Sequence, residues 1–275
     1  MHILLWIVGF TTLGGALSAL AASLFLATSE KTRHRVLPHL VSFATGALLG
    51  AALLGLVPEA MERAGSGRVE QVGATLLIGI LIFFMLEKLV LWRHCHADAC
   101  DGHEPPAPHA HSHSHGHSHE PQAHQRDRAS ASLVLIGDGV HNVLDGVLIA
   151  AAFMTDVHLG IVTATAIIAH EIPQEVGDLA ILLHGGMSRR RAFILNLVTS
   201  LTSVVGGVAA YFALQLVFQY LHVALALAAA SFLYIAVADL IPGLHRRVDP
   251  GAAIRQILFI SLGVGVIYVS HELLG

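Results

Sequence analysis

Two short sets of polar residues lie inside otherwise apolar stretches, and their types are those that bind metal ions. Asp138, His141, Asn142 and Asp145 stand at offsets 0, 3, 4 and 7, and Glu171, Gln174, Glu175 and Asp178 repeat the same offsets, with His170 just before them. At about 100° per residue these offsets gather four side chains into a stripe roughly 100° wide on one face of a helix. The stripes offer imidazole nitrogen from His141 and His170 and carboxylate oxygen from Asp145, Glu171 and Glu175. Asn142 and Gln174 add neutral oxygen, which completes a donor set suited to a borderline divalent cation. His141 with Asp145, and His170 with Gln174, can chelate from adjacent turns. Asp138 and Asp178 read equally well as ligands or as hydrogen-bonding groups between helices. Pro173 removes one backbone hydrogen bond and crowds the carbonyl of Ala169, so a kink there exposes backbone oxygen beside the stripe.

The rest of the chain says where these helices must stand. Of 275 residues, 55% are hydrophobic and 12% charged, and the mean hydropathy is +0.69, a composition of an integral membrane protein. The net charge of −4 and the scattered basic residues exclude nucleic acid as the main partner; the lipid bilayer and divalent metal ions are the partners expected. A crossing needs roughly 20 apolar residues. On that measure the chain is all-α, with eight transmembrane helices near Ile3–Ala27, Leu37–Pro58, Val69–Trp92, Ser132–Met154, Val157–Leu183, Ala192–Gln219, Leu221–Leu244 and Ile254–Leu274. Between Ala192 and Ala238 no residue is charged, and the split is placed at Gln215 to His222, where Gln219, Tyr220 and His222 suit an interface. The domain organisation expected is therefore helices one to three over 1–92, a disordered histidine-rich cytoplasmic loop over 93–131, and helices four to eight over 132–275.

The first span has no basic n-region and exceeds a signal-peptide core in length, so it reads as a permanent helix. Loops after the odd-numbered spans carry thirteen of the fifteen basic residues, and only Arg63 and Arg68 stand on the other side. The positive-inside rule then puts both termini outside and the histidine-rich loop in the cytoplasm. Thirteen arginines against two lysines fit a bacterial source, and with it an inner (plasma) membrane.

Ten of the twenty histidines fall in the loop: His94, His96, His103, His109, His111, His113, His115, His117, His119 and His124. Both cysteines, Cys95 and Cys100, lie there too, so they read as a reduced pair or as metal ligands and not as a disulfide framework. Proline and the lack of apolar residues point to disorder, and flexible imidazoles with two thiols suit a cytoplasmic metal buffer or sensor. His2, His158, His222 and His271 fall on the outer side, as interfacial residues or entry ligands.

An ionisable side chain at the bilayer centre costs on the order of 2.5–3.5 kcal/mol, and five carboxylates are more than two helices need as glue. His170-Glu171-Ile172-Pro173-Gln174 lacks the second histidine of a His-Glu-x-x-His zinc-protease helix and holds a proline inside it. His141-Asn142-Val143-Leu144-Asp145-Gly146 and His170-Glu171-Ile172-Pro173-Gln174-Glu175-Val176-Gly177-Asp178 together resemble the paired signatures of the ZIP (Zrt/Irt-like) divalent metal transporters. The branch most similar reads His-Glu-x-Pro-His-Glu in its fifth helix. Leu56-Val57-Pro58-Glu59-Ala60 and Asp239-Leu240-Ile241-Pro242 extend the likeness to spans two and seven. The resemblance implies uptake of zinc toward the cytoplasm, with one helix bundle sliding against a static one. It also implies a primary site at His141, Asp145, His170 and Gln174 and an adjoining site at Asn142, Asp145, Glu171 and Gln174. Gln174 departs from the histidine or glutamate of the family, and span six offers Asn196, Ser200, Thr202 and Ser203 but no carboxylate.

The expectation is a transporter and not an enzyme, with Zn2+ as cargo, Cd2+, Fe2+ or Mn2+ as further candidates, and no catalytic cofactor. A homodimer is compatible with it. The rival readings are a proton-coupled exporter of the cation diffusion facilitator type, which calls for six spans and a cytoplasmic C-terminal domain, and an intramembrane metal-dependent hydrolase, which needs a water held by three ligands beside a cleft.

Overall fold

The computed structural model describes residues 2–95, 120–245 and 250–274, and every regular element among them is helical. In chain order these are α1 (His2–Leu26), α2 (Glu30–Ala64), α3 (Val69–Cys95), α4 (Glu120–Thr155), α5 (Val157–His184), α6 (Arg189–Leu216), α7 (Phe218–His245) and α8 (Pro250–Leu274). They correspond one to one with the eight expected spans. Seven of them are long and apolar enough to cross a membrane by length and composition. The exception is α5, whose 28 residues suffice in length but carry the second polar stripe. It packs against α1, α2 and α4, so protein covers much of that polarity. Large apolar side chains point outward from the bundle instead, among them Leu77 and Leu81 on α3 and Leu258 and Leu262 on α8. Lipid tails are the solvent that suits such a surface.

The uncharged run divides at Val217, inside the window expected for it. Two other boundaries differ. Helix α3 continues to Cys95, and α4 begins at Glu120 and not near Ser132. Pro121 sits in the first turn of α4, where a missing N–H has no intrahelical partner to lose, and no glycine follows it before Gly137. His94 and Cys95 thus end α3, His124 lies on α4, and His96, Cys100 and the histidines from His103 to His119 fall outside the described residues.

Both α2 and α7 widen into a π-helical segment, Ala51–Leu56 and Ile235–Leu240. In each, a proline follows two residues later, Pro58 and Pro242. A proline ring in a regular α-helix clashes with the carbonyl four residues back. The wider turn shifts the ladder, so Val57 N–H reaches Ala52 O and Ile241 N–H reaches Ala236 O, and the helix continues past the ring.

Two sets of helices pack side by side. Helices α1, α4, α5 and α6 form one, and α2, α3, α7 and α8 the other, with α2 against α5 among the contacts between them. Each set contains a pair in glycine contact. A Cβ at Gly146 would overlap the Ser203 backbone and one at Gly206 the Val143 backbone, locking α4 to α6; Gly46 and Gly263 play the same part between α2 and α8. Lipid gives helices no hydrophobic reason to associate, so close backbone approach of this kind supplies the packing energy. Thr202 Oγ1 adds a hydrogen bond of 2.8 Å to Gly139 O across the α4–α6 contact.

Candidate metal centre

The turn between α4 and α5 sets the level of the two stripes. Asp156 alone separates the helices, and its carboxylate caps α5 by accepting from His158 N at 2.7 Å and Leu159 N at 3.3 Å. The helices must therefore run antiparallel and adjacent. His141 precedes Asp156 by about as many residues as His170 and Glu171 follow it, so at 1.5 Å per residue all three lie roughly 21–23 Å from the turn. The α6 contact through Gly146 and Gly206 fixes the rotation of α4 and turns its stripe inward.

Four side chains meet at that level. His141 Nε2 lies 3.3 Å from His170 Nε2. It is 3.7 Å from Asp145 Oδ2 and 3.5 Å from Glu171 Oε1. His170 Nε2 lies 3.5 Å from Asp145 Oδ2 and 3.4 Å from Glu171 Oε1. A tetrahedral zinc ion with bonds of about 2.0–2.1 Å has ligand-to-ligand edges of about 3.3–3.4 Å. The five distances are close to that spacing, with two nitrogen and two oxygen donors at the corners.

Orientation and burial agree with the distances. His170 Nδ1 donates to Ala166 O at 3.4 Å, which leaves Nε2 with its lone pair directed at the cluster, the arrangement that a metal-binding imidazole needs. Asp145, His170 and Glu171 are almost fully buried, at 1%, 1% and 3% exposure. Among the described residues, both carboxylate oxygens of Asp145 and both of Glu171 lack a hydrogen-bond partner. Buried anionic oxygens without donors are costly, and a cation at the centre of the four ligands would relieve that cost. His141, with 24% of its side chain exposed, is the accessible corner. A void of about 10 Å³ lined by Thr11, Asn142, Asp145, Glu171 and Ser203 is large enough for about one water.

The other residues of the stripes take different positions. Asn142 is buried and donates to Asp138 Oδ1 at 2.9 Å and Asp138 O at 3.1 Å, so its amide nitrogen is committed to Asp138. Glu175, wholly buried, accepts from Asn196 Nδ2 and from Ser200 Oγ of α6. Asp178 is half-buried, and its Oδ2 has no hydrogen-bond partner among the described residues. Gln174 is half-buried and makes no hydrogen bond among the described residues. The partnership of Glu175 with Asn196 and Ser200 was not foreseen, although the i, i+4 spacing of two polar residues in an apolar span was its signal. Toward the α4–α5 turn, a cavity of about 260 Å³ opens between α2 and α5, lined among others by Glu59, Glu62, Asp156 and His158. His222 is buried on α7.

Gln174 gives a direct test of the ligand count. The four-donor cluster closes without it, and a neutral amide offsets little of an ion's desolvation. Gln174→Ala is expected to weaken zinc binding less than about tenfold, whereas Gln174→His, which adds a strong donor, is expected to tighten it; calorimetry on the purified protein measures both. Loss of binding in Gln174→Ala as severe as that in His170→Ala would place Gln174 among the ligands.

Comparison with known proteins converges on the same chemistry. The family model described as ZIP zinc transporter matches residues 2–271. The zinc transporter zipt-7.1 of Caenorhabditis briggsae is 30% identical over 311 residues, covering 96% of this chain and 78% of its own. The zinc transporter ZIP13 of Mus musculus is 33% identical over 248 residues, covering 83% and 68%. The zinc transporter ZIP4 of Homo sapiens is 38% identical over 137 residues, covering 49% and 20%. A family match over nearly the whole length, on a helical membrane fold that gathers two imidazoles and two buried carboxylates, leaves one conclusion: the chain belongs to the ZIP zinc transporter family and is a divalent metal transporter.

Proposed function

We propose that the chain carries zinc across the membrane into the cytoplasm through a centre made by His141, Asp145, His170 and Glu171, with Asn142, Gln174 and Glu175 beside it. The observation that carries this reading is the near-tetrahedral spacing of four donors whose carboxylate oxygens have no hydrogen-bond partner among the described residues. Zinc is the metal named for each of the three relatives; Cd2+, with similar ligand preferences, is the next candidate, and Fe2+ or Mn2+ follow. Eight helices among the described residues fit this reading better than a six-span exporter, and no resident catalytic group is invoked. Zinc flux into proteoliposomes, with direction and competing ions measured, tests it. Absence of zinc-specific flux in well-inserted protein would sink it.

The orientation belongs to the same proposal. With thirteen basic residues on one side and two on the other, both termini face outside, in a bacterial inner membrane, and the segment from 96 to 119 faces the cytoplasm as a metal buffer. The cavity beside Glu59, Glu62 and His158 then opens outward, where incoming cations arrive. Cys95 and Cys100 are expected to resist a membrane-impermeant thiol reagent in intact cells and to react after permeabilisation. Labelling of both from outside would reverse the topology and the direction of transport.

A further inference from the structure

One hydroxyl in the bundle interior is left unused. Thr163 on α5 is wholly buried, and among the described residues its Oγ1 has no hydrogen-bond partner. A threonine inside a helix can bond the carbonyl four residues back, as Thr11 does to Ile7 O, Thr45 to Val41 O and Thr165 to Ile161 O, each at 2.8 Å. Thr163 forgoes that bond where leaving a hydroxyl unpaired is costly. The packing of α5 fixes where it points. A Cβ at Gly55 of α2 would meet Leu159 at 3.3 Å and Val162 at 4.0 Å, one at Gly160 would overlap the Phe153 ring of α4, and one at Gly14 of α1 would meet Ile168 at 3.1 Å. At about 100° per residue, Thr163 lies between the directions of Leu159 and Gly160 and away from that of Ile168. It therefore faces the crevice between α2 and α4, where the two helix sets meet. His170, two turns farther on, lies within about 20° of the same direction.

The crevice runs from the cavity beside Glu59 and His158 toward the zinc centre. Leu159 and Val162 line that cavity, Thr163 follows directly, and His170 stands about 10.5 Å beyond it along the helix. The facing helices offer only apolar side chains at this level. Ile149 on α4 is as far from Asp156 as Thr163 is, and Ala51 and Ala52 stand one turn before Gly55 on α2; all three are buried. An ion leaving the cavity must shed water against these walls, and a charge without replacement ligands is expensive there. We propose that Thr163 is a way station for zinc between the outer cavity and the His141–His170 centre, its hydroxyl oxygen taking the place of one water as the ion passes. A hydroxyl has two lone pairs to offer, and a neutral oxygen holds a borderline ion more weakly than imidazole does. The ion is thus received and then given up to the histidines. This inference rests on the transport reading proposed above and adds to it a residue that belongs to neither polar stripe.

The test compares full-length wild type, Thr163→Val and Thr163→Ser in proteoliposomes, with zinc as the probe and an internal dye as the reporter. Valine keeps the shape of threonine and removes the hydroxyl, whereas serine keeps the hydroxyl. Thr163→Val should lower the maximal zinc flux about tenfold or more, while zinc affinity measured by calorimetry stays within about threefold of wild type, because the centre itself is intact. Thr163→Ser should carry zinc within about threefold of the wild-type rate. Thr163→Val should resist SDS in mixed micelles at least as well as wild type, since replacing an unpaired buried hydroxyl by an apolar group of the same shape removes no bond. Wild-type flux in Thr163→Val, or equal loss of flux in both variants, would overturn the way station. So would a loss of SDS resistance or of zinc affinity in Thr163→Val that matches its loss of flux, which would assign the hydroxyl to packing. Absence of zinc flux from wild type would overturn the transport reading and this inference with it, whereas normal flux in wild type and Thr163→Val alike would overturn this inference alone.

Discussion

Alanine at His170 or Asp145 is expected to lower zinc flux in proteoliposomes by at least a hundredfold, without reducing the amount of protein inserted. Each of these side chains supplies one of four corners, and both are buried where water cannot take the vacated place at low cost. Loss of a residue that merely orients a ligand typically costs 10–100-fold in affinity, so loss of the ligand itself falls at or beyond the upper end. Glu171→Ala should be as severe, since its carboxylate lies 3.5 Å from His141 and 3.4 Å from His170. His141→Ala should be the mildest of the four, because its partly exposed corner leaves room for a water ligand. Stopped flow with an internal zinc dye separates slow transport from weak binding. Normal rates in both His170→Ala and Asp145→Ala would place the metal path elsewhere.

These assignments were partly legible in the sequence, and the limits have physical causes. Apolar length revealed the eight helices, α5 among them, because its polar residues fall on one face and leave the remainder hydrophobic. The offsets 0, 3, 4 and 7 identified the stripes, and the single residue between α4 and α5 puts His141 and His170 at one level. What the sequence does not encode locally is which helices are neighbours. Gly46, Gly146 and Gly206 pack on Ile260, Ser203 and Val143, and no local pattern chooses those partners when every span offers an apolar surface. The π-helical segments were hidden for a similar reason, since a widened turn leaves composition unchanged and only the proline two residues on marks it. The same gap affected the site. The resemblance puts Glu171 in the adjoining ligand set, and the helix packing sets its Oε1 beside both imidazoles, a proximity that no spacing discloses. The grip of α6 on Glu175 depends on the α4–α6 packing that no local pattern discloses.

That grip leads to the second large effect. Asn196 Nδ2 and Ser200 Oγ both donate to the wholly buried Glu175, so removing either donor leaves an oxygen in the membrane interior without its partner. A buried acceptor stripped of its donor costs about 1–3 kcal/mol, and more if it is charged. Asn196→Ala and Ser200→Ala are each expected to destabilise the protein by about that amount, read as a lower resistance to denaturation by SDS in mixed micelles. Asn196→Asp is nearly isosteric, yet it is expected to be worse than alanine, because it replaces the N–H donor by an oxygen facing the oxygen of Glu175. The added carboxylate also brings one more potential ligand close to Asp138, Glu171 and Glu175. Millimolar Mn2+ should therefore recover much of the stability of Asn196→Asp and little of that of Asn196→Ala. Wild-type stability of Asn196→Asp without added metal would mean that shape, and not hydrogen bonding, joins α6 to the centre.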